Sequence, residues 1–211
     1  MPFTLQDFNR TKTHLYHLTF CDNLENLRNE RRLHSASETI AQANQQGLME
    51  QRRRAHVRLD VNGRSIWLRD QAPLHEGNIE FDQGCDMRRL VALLNGMVFF
   101  WPGNEEGAIK HGKRHYTRYR DENPAIVRAK TSDIIGANRE NQPLFCRLNS
   151  GSPRCSGGHR SPRGFGTFSS APQCKFRPSD VVEVTFMKTA MLPGDTQVSF
   201  DGGETWRSLF N

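Results

Sequence analysis

The sequence has no run of about 18 apolar residues, which is the length that a membrane-spanning helix needs. The first ten residues, Met1 to Arg10, contain no apolar stretch of the kind found in a secretion signal. The cysteines are odd in number and widely spaced, unlike the paired framework of a small secreted domain; they are Cys21, Cys85, Cys146, Cys155 and Cys174. We therefore expect reduced thiols, a cytoplasmic location and no association with a membrane.

A closely spaced pair of metal ligands of the C-x₂-C type is also absent. The residues with suitable chemistry are Cys146, Cys155, His159 and Cys174, and their spacing does not match a zinc site. We expect no metal.

Tyrosine and tryptophan are scarce, with three of each, whereas there are 13 phenylalanines. The mean hydropathy is −0.71 and hydrophobic residues make up 36% of the chain, so we expect a modest core with long surface loops. A chain of 211 residues lies near the upper end of one domain and buries roughly 70% of its unfolded surface. The prediction is a single domain over residues 1–211.

Acidic residues are fewer than basic ones, 23 against 29, and the formal charge is +6. Arginine accounts for most of the excess, and its planar guanidinium suits phosphate groups. The charge indicates either a polyanionic partner or a solvated basic surface, and composition alone leaves both open.

The first part of the chain alternates between short strand and helix patterns. His14 to Thr19 is typical of a strand, and Asp22 or Asn23 then caps a helix with Leu24, Leu27 and Leu33 on one face. Ser35 and Glu38 fit a capping box for a second helix, which runs toward Gly47. Alternating apolar residues on both sides of Asn62-Gly63 predict a β-hairpin with a tight turn.

The middle of the chain continues this alternation. A helical face from Asp86 to Leu94 precedes the apolar strand Met97 to Trp101, which Pro102-Gly103 should stop. Asn104 is expected to cap a charged helix to about Arg120, and a strand begins at Pro124.

The last part contains a long polar segment between two strands. Leu144 to Leu148 and Val181 to Met187 have strand patterns, and Asn149 to Pro172 is rich in Ser, Gly, Pro and Arg. A connection of that length is usually a binding loop, a lid or disorder. Residues 199–206 match the Asp-box of sialidase-type propellers, but a single copy predicts only a stable hairpin.

Several polar or aromatic residues in these segments are candidate site residues, and each has an ordinary alternative. His17, at the end of a strand, is alternatively a structural histidine, and Arg69 beside Asp70 is alternatively part of a surface ion pair. Phe100 lies in an apolar strand that is either core or a stacking platform. Glu183 is the only carboxylate in its strand and is alternatively an outward-facing residue.

The long loop carries Arg154, Arg160 and Arg163 among Gly, Ser, His159 and Phe165. Guanidinium groups, backbone amides and an aromatic ring together would bind a phosphate backbone or stack on a base. The alternative is a disordered segment.

The order of these segments resembles that of the DarT-like ADP-ribosyltransferases, which modify bases in DNA. In that family an aromatic-His-x-Thr segment is followed by Asn-Leu and a helix, as at residues 16–19 and 23–24 here. Members also have an aromatic strand near mid-chain, matched by residues 98–100, and a glutamate in an apolar strand after a long target-recognition loop, matched by Glu183 after residues 149–172. Phe100 departs from the tyrosine that is common in the wider superfamily.

The resemblance implies an α+β fold with a central, mostly antiparallel split sheet and helices on its flanks. It implies NAD as co-substrate and transfer of ADP-ribose by a carboxylate, Glu183, that stabilises an oxocarbenium-like state and accepts a proton. The expected NAD-binding residues are Tyr16, His17, Thr19 and Phe100. Arg69 is the expected catalytic arginine that meets the pyrophosphate or orients the acceptor, with Arg52 to Arg54 as competitors.

The resemblance further implies a nucleic acid acceptor bound by Arg154, Arg160 and Arg163, and an activity that needs a neutralising partner or regulator. Two other functions remain open at this point. One is an NAD-hydrolysing toxin like those with the RES domain, and the other is a non-catalytic basic module that binds nucleic acid.

Overall fold

The computed structural model describes residues 3–211 and has an α+β fold, in which helices flank a large antiparallel sheet. The α-helices are α1 (Leu5–Thr11), α2 (Leu24–Glu30), α3 (Ala36–Gln42), α4 (Met87–Asn95), α5 (Lys110–Tyr119) and α6 (Thr131–Ala137). The strands are β1 (His14–Phe20), β2 (Arg32–His34), β3 (Val57–Val61), β4 (Arg64–Leu68), β5 (Ile79–Phe81), β6 (Met97–Asn104), β7 (Gly107–Ala108), β8 (Pro124–Lys130), β9 (Leu144–Cys146), β10 (Ser161–Arg163), β11 (Ser169–Ser170), β12 (Glu183–Met187), β13 (Thr189–Met191), β14 (Gln197–Ser199) and β15 (Arg207–Ser208).

The central sheet has the strand order β11-β9-β12-β6-β1-β8-β14-β15, with β7 paired to β6. All of its neighbouring strands are antiparallel. Smaller pairings join β3 to β4, β13 to β2 and, in parallel, β10 to β5.

The sheet divides at β6. Residues 97–100 of this strand pair with β12, whereas residues 101–103 pair with β1. β1 pairs with β8 along its whole length. From His17 onward, β1 remains paired with β8 but no longer pairs with β6. This separation confirms the predicted split sheet and leaves a gap between the second half of β1 and the first half of β6.

Side-chain hydrogen bonds cap the first turns of α4 and α3. The Asp86 carboxylate accepts the Arg89 N–H at 2.8 Å, and the Ser35 hydroxyl accepts the Glu38 N–H at 3.3 Å, which satisfies donors that a helix start leaves free. The Ser35 N–H donates to the Lys188 carbonyl, so Glu38 does not complete the reciprocal half of the predicted capping box.

The hairpin of β3 and β4 turns as predicted. Asn62 and Gly63 both have positive φ, 54° and 76°, as a type I′ turn requires. The polar 199–206 segment is also a compact turn, since the Asp201 carboxylate accepts the N–H groups of Glu204 and Thr205 at 3.0 Å.

Some predicted boundaries are wrong. The second helix, α3, ends at Gln42, because Asn44 adopts a left-handed conformation soon afterwards. Leu33 belongs to β2, because α2 ends at Glu30 and Arg31 has a φ of 53°.

The region around Pro102 also differs from the prediction. β6 continues through Pro102 and Gly103 to Asn104, and Gly103 pairs with Ala108 of β7. Asn104 does not cap a helix; its side chain accepts the Glu106 N–H and closes the turn before β7. α5 therefore begins only at Lys110.

The core lies on both faces of the sheet. Val98 and Phe100 of β6 face a cluster that includes α1, α2 and α6, whereas Met97 and Phe99 face a second cluster built around α4. A third, smaller cluster packs α3 against the β3–β4 hairpin. Among residues 3–211, the structure contains no helix with the length and apolar character needed to cross a bilayer.

Candidate functional site

A cavity of about 400 Å³ lies where β1 separates from β6. Its walls come from the second half of β1, the first half of β6, the end of β4, helix α5 and the loop after β9. This volume falls in the range of sites for small molecules. The ionisable side chains at its wall include His17, Arg69, His115, Arg154 and Glu183.

His17 bridges the gap between the two strands. Its Nδ1 lies 2.8 Å from the carbonyl oxygen of Phe99. Because a carbonyl oxygen only accepts, Nδ1 carries the proton and Nε2 is left as an acceptor. Burial lowers the pKa of His17 to about 4, and the charge of Arg69 adds to this effect while the bond to Phe99 opposes it. The imidazole is therefore neutral at pH 7.

Glu183 is the first residue of β12 and is 3% exposed. Val184 and Phe186 face the core on one side of the strand, so Glu183 faces the other side and lines the cavity. The Ser150 N–H donates to both carboxylate oxygens, at 3.2 and 3.1 Å. Burial raises the pKa of Glu183 to about 7, and the Ser150 hydrogen bonds and the Arg163 charge oppose the rise. The carboxyl group is thus poised to gain or lose a proton near neutral pH.

Arg69 follows β4 and reaches the same cavity. Its guanidinium carbon lies 4.6 Å from the centre of the Phe20 ring and 4.5 Å from that of Tyr119. Both terminal nitrogens are buried and have no hydrogen-bond partner within residues 3–211. Burial lowers the pKa of Arg69 to about 10, so the group keeps its charge at pH 7. A bound anion would satisfy these donors, which are costly to leave unpaired.

The competing arginines have other partners. Arg52 donates to the Ala72 carbonyl at 2.8 Å, and Arg53 donates to Asn95 Oδ1 at 2.8 Å. Arg54 is exposed and does not line the cavity. Of these arginines, Arg69 is the one that lines the cavity with buried terminal nitrogens that have no hydrogen-bond partner in the described part of the chain.

Helix α5 forms a wall of the cavity that was not predicted from the sequence. His111, His115 and Tyr119 are spaced by four residues and lie along one side of this helix, and all three line the cavity. Burial lowers the pKa of His115 to about 3, with a further contribution from the Arg69 charge. The four-residue spacing was a readable signal, but the charged neighbours obscured it.

Two of the predicted NAD-binding residues lie outside the cavity. Phe100 is 1% exposed and packs on Phe186 in the core, because its neighbours Phe99 and Trp101 take the cavity face of β6. The Tyr16 hydroxyl donates to the Asn104 carbonyl, and its ring packs against Trp206. We therefore remove Phe100 and Tyr16 from the candidate site.

Thr19 remains at the cavity wall. Its hydroxyl accepts from the Asn23 amide at 3.2 Å, and Asn23 also bonds both backbone polar groups of Trp67. This contact joins the end of β1 to the β3–β4 hairpin.

The three arginines of the long loop have different surroundings. Arg163 is 2% exposed and donates to the carbonyls of Asn149 and Ser150 at 2.7 and 3.3 Å. It therefore holds the loop together, and the prediction that Arg163 binds nucleic acid is wrong, because its guanidinium is buried on these carbonyls. Arg160 is exposed away from the cavity, and Arg154 is exposed at the cavity wall.

The assembled groups define what the cavity can do. A carboxyl group that ionises near neutral pH, a neutral imidazole acceptor and a fixed cation converge on one space. Such a site can hold an anionic molecule and stabilise positive charge that develops next to the carboxylate. Within the described residues, no three His, Cys, Asp or Glu side chains are arranged to hold a metal ion.

Comparison with known proteins places the site within one family. No curated protein and no solved structure matches the chain. The model of a family of unknown function, DUF7002, matches residues 13–193, a segment that contains every residue of the cavity wall. The chain therefore belongs to the family of unknown function DUF7002.

Proposed function

We propose that the protein transfers ADP-ribose from NAD to a base of a nucleic acid. The observation that carries the proposal is the convergence of His17, Arg69 and Glu183, which come from three separate parts of the chain, on one cavity at the split of the sheet. The resemblance in the order of the sequence segments supports the same reaction.

The residues at the wall match the chemistry of the reaction. Breaking the bond between nicotinamide and ribose develops positive charge on the sugar, which a fixed carboxylate stabilises. Glu183 takes this role in its charged form and accepts the proton of the attacking base. A pKa of about 7 lets the same group hold or release a proton at neutral pH.

The other wall residues serve binding. His17 offers Nε2 as an acceptor for a ribose hydroxyl, because its Nδ1 proton is used by the Phe99 carbonyl. Arg69 presents two terminal nitrogens for a pyrophosphate oxygen. Phe99 and Trp101 replace Phe100 as the aromatic wall.

The test is to incubate the protein with NAD and oligonucleotides and to measure nicotinamide release and the mass of the acceptor. We expect Glu183→Gln to lower the rate on the order of a hundredfold or more, as the loss of one electrostatic group does elsewhere. Glu140→Gln, which removes an exposed carboxylate outside the cavity, is the matched control and should act as wild type does.

Other outcomes separate the alternatives. Equal nicotinamide release by wild type and Glu183→Gln contradicts the proposed role of the carboxylate. Free ADP-ribose without modified oligonucleotide indicates an NAD hydrolase. Salt-dependent binding of nucleic acid without any thermal shift by NAD indicates a non-catalytic module.

A further inference from the structure

Helix α5 carries a row of exposed cations. Lys110, Arg114 and Arg118 are spaced by four residues and lie about 6 Å apart along the helix axis. We call these three residues the basic ridge. None of them forms an ion pair within residues 3–211, and α5 contains no acidic residue. The ridge is therefore a concentrated positive charge without an ion-pair partner among the described residues.

The ridge borders the cavity. Arg114 and Arg118 line the cavity wall, and Arg154 reaches the same wall from the loop after β9. Burial lowers the pKa of His111, and the charges of Arg114, Arg154 and Lys110 lower it further. These cations thus lie close to one another although Arg154 comes from a separate segment.

Close packing of α5 on the sheet fixes the ridge in place. A Cβ at Gly112 would lie 2.8 Å from the Cβ of Ala108 and 2.9 Å from the Cγ of Trp101. The absence of a side chain at this position therefore lets the helix approach β6, where Trp101 stands at the cavity wall.

We propose that the basic ridge and Arg154 bind the phosphate backbone of a single-stranded nucleic acid and direct one of its bases toward the cavity. Successive cations along one line suit the successive phosphates of a strand. An unpaired base enters a cavity without the energetic cost of leaving a duplex. This inference rests on the proposed function for the class of acceptor. It assigns the binding of the nucleic acid to α5 and Arg154 in place of the buried Arg163.

A membrane surface is the other anionic partner that a basic helix can bind. Helices that lie on a membrane insert an apolar face next to the charged one. Among residues 3–211, the exposed large apolar residues are Phe165, Met187 and Met191, and none of them belongs to α5. The nucleic acid is therefore the better match.

The test is fluorescence anisotropy with a labelled single strand of about 12 nucleotides, without NAD, between about 50 and 200 mM salt. The ridge variant is Lys110→Gln/Arg114→Gln/Arg118→Gln. The matched control, Arg139→Gln/Lys175→Gln/Lys188→Gln, removes three exposed cations outside the cavity. We expect the ridge variant to bind at least roughly tenfold more weakly, with a salt slope reduced by about 2, and the control to bind as wild type does.

Charge retention separates the ridge from general damage to the fold. Arg114→Lys/Arg118→Lys keeps the positive charge and should bind nearly as wild type does. Equal affinities of the ridge variant and the control contradict nucleic acid binding by the ridge but do not contradict the proposed transfer of ADP-ribose. Lack of binding by wild type, or binding only to anionic phosphatidylserine vesicles, overturns the inference. Nicotinamide release from NAD, measured separately, then decides whether the proposed transfer fails as well.

Discussion

Glu183 is buried against the wall of the cavity, and burial makes its carboxyl group harder to charge than an exposed glutamate. The Ser150 N–H stabilises the charged form but does not cancel the effect of burial. Ionisation of Glu183, the residue that we propose for catalysis, therefore lowers the free energy of unfolding. Active-site groups often have such a cost in stability.

This conflict predicts how stability depends on pH. The pKa of Glu183 rises from an ordinary value of 4.5 to about 7 on folding, so between these values the folded protein binds more protons than the unfolded chain. Its contribution to the free energy of unfolding is complete below about pH 4.5 and falls as the pH rises through about 7. Glu183→Gln should thus be more stable than wild type at about pH 8.5, by about 3 kcal/mol, and by less than about 1 kcal/mol at about pH 5.

Urea denaturation of both proteins at the two pH values measures this difference. Glu140→Gln serves again as the exposed control and should follow wild type at both. A gain of the same size at both pH values would show that the carboxyl group is not the cause.

At the scale of elements, helix α5 depends on one close approach. Gly112 faces Ala108 and Trp101 with no room for a Cβ, whereas a Cβ at Gly136 of α6 would meet no atom within 4 Å. The same residue type therefore serves packing in one helix and only weakens the other.

The two glycines predict opposite effects of the same substitution. Gly112→Ala should lower the free energy of unfolding by about 1–3 kcal/mol, because α5 must move away from β6. Gly136→Ala should raise it by up to about 1 kcal/mol, because alanine has the higher helix propensity. Thermal or urea denaturation measures both, and a stabilising Gly112→Ala would contradict the packing described for α5.

At the scale of the whole molecule, the split sheet remains one structural unit. The two main core clusters lie on opposite faces of β6, and alternate residues of this strand contribute to each of them. Loss of the packing in either cluster therefore destabilises β6, and with it the packing in the other cluster.

This shared strand predicts a single cooperative unfolding transition. Far-ultraviolet circular dichroism, which follows the backbone, and tryptophan fluorescence, which follows Trp67, Trp101 and Trp206, should give coincident urea curves. Two separated transitions would show that the parts of the chain on either side of β6 fold independently.

The sequence by itself determined features that depend on near neighbours. The Asn62-Gly63 hairpin, the Ser35 cap and the strand that begins at Pro124 follow from local backbone preferences and short-range hydrogen bonds. The order of His17, Arg69 and Glu183 along the chain was also visible, and the resemblance, not the local pattern, implied that they share one site.

Only the tertiary structure decided which side each residue faces and what it contacts. Gly103 looked like a strand stop, yet its missing side chain lets β7 pair closely, since a Cβ there would lie 2.2 Å from the Gly107 carbonyl oxygen. Arg163 and Arg154 look alike in sequence, but one is buried on loop carbonyls and the other is exposed at the cavity. Such differences arise because burial and partners come from segments distant in the chain, and local pattern carries no information about them.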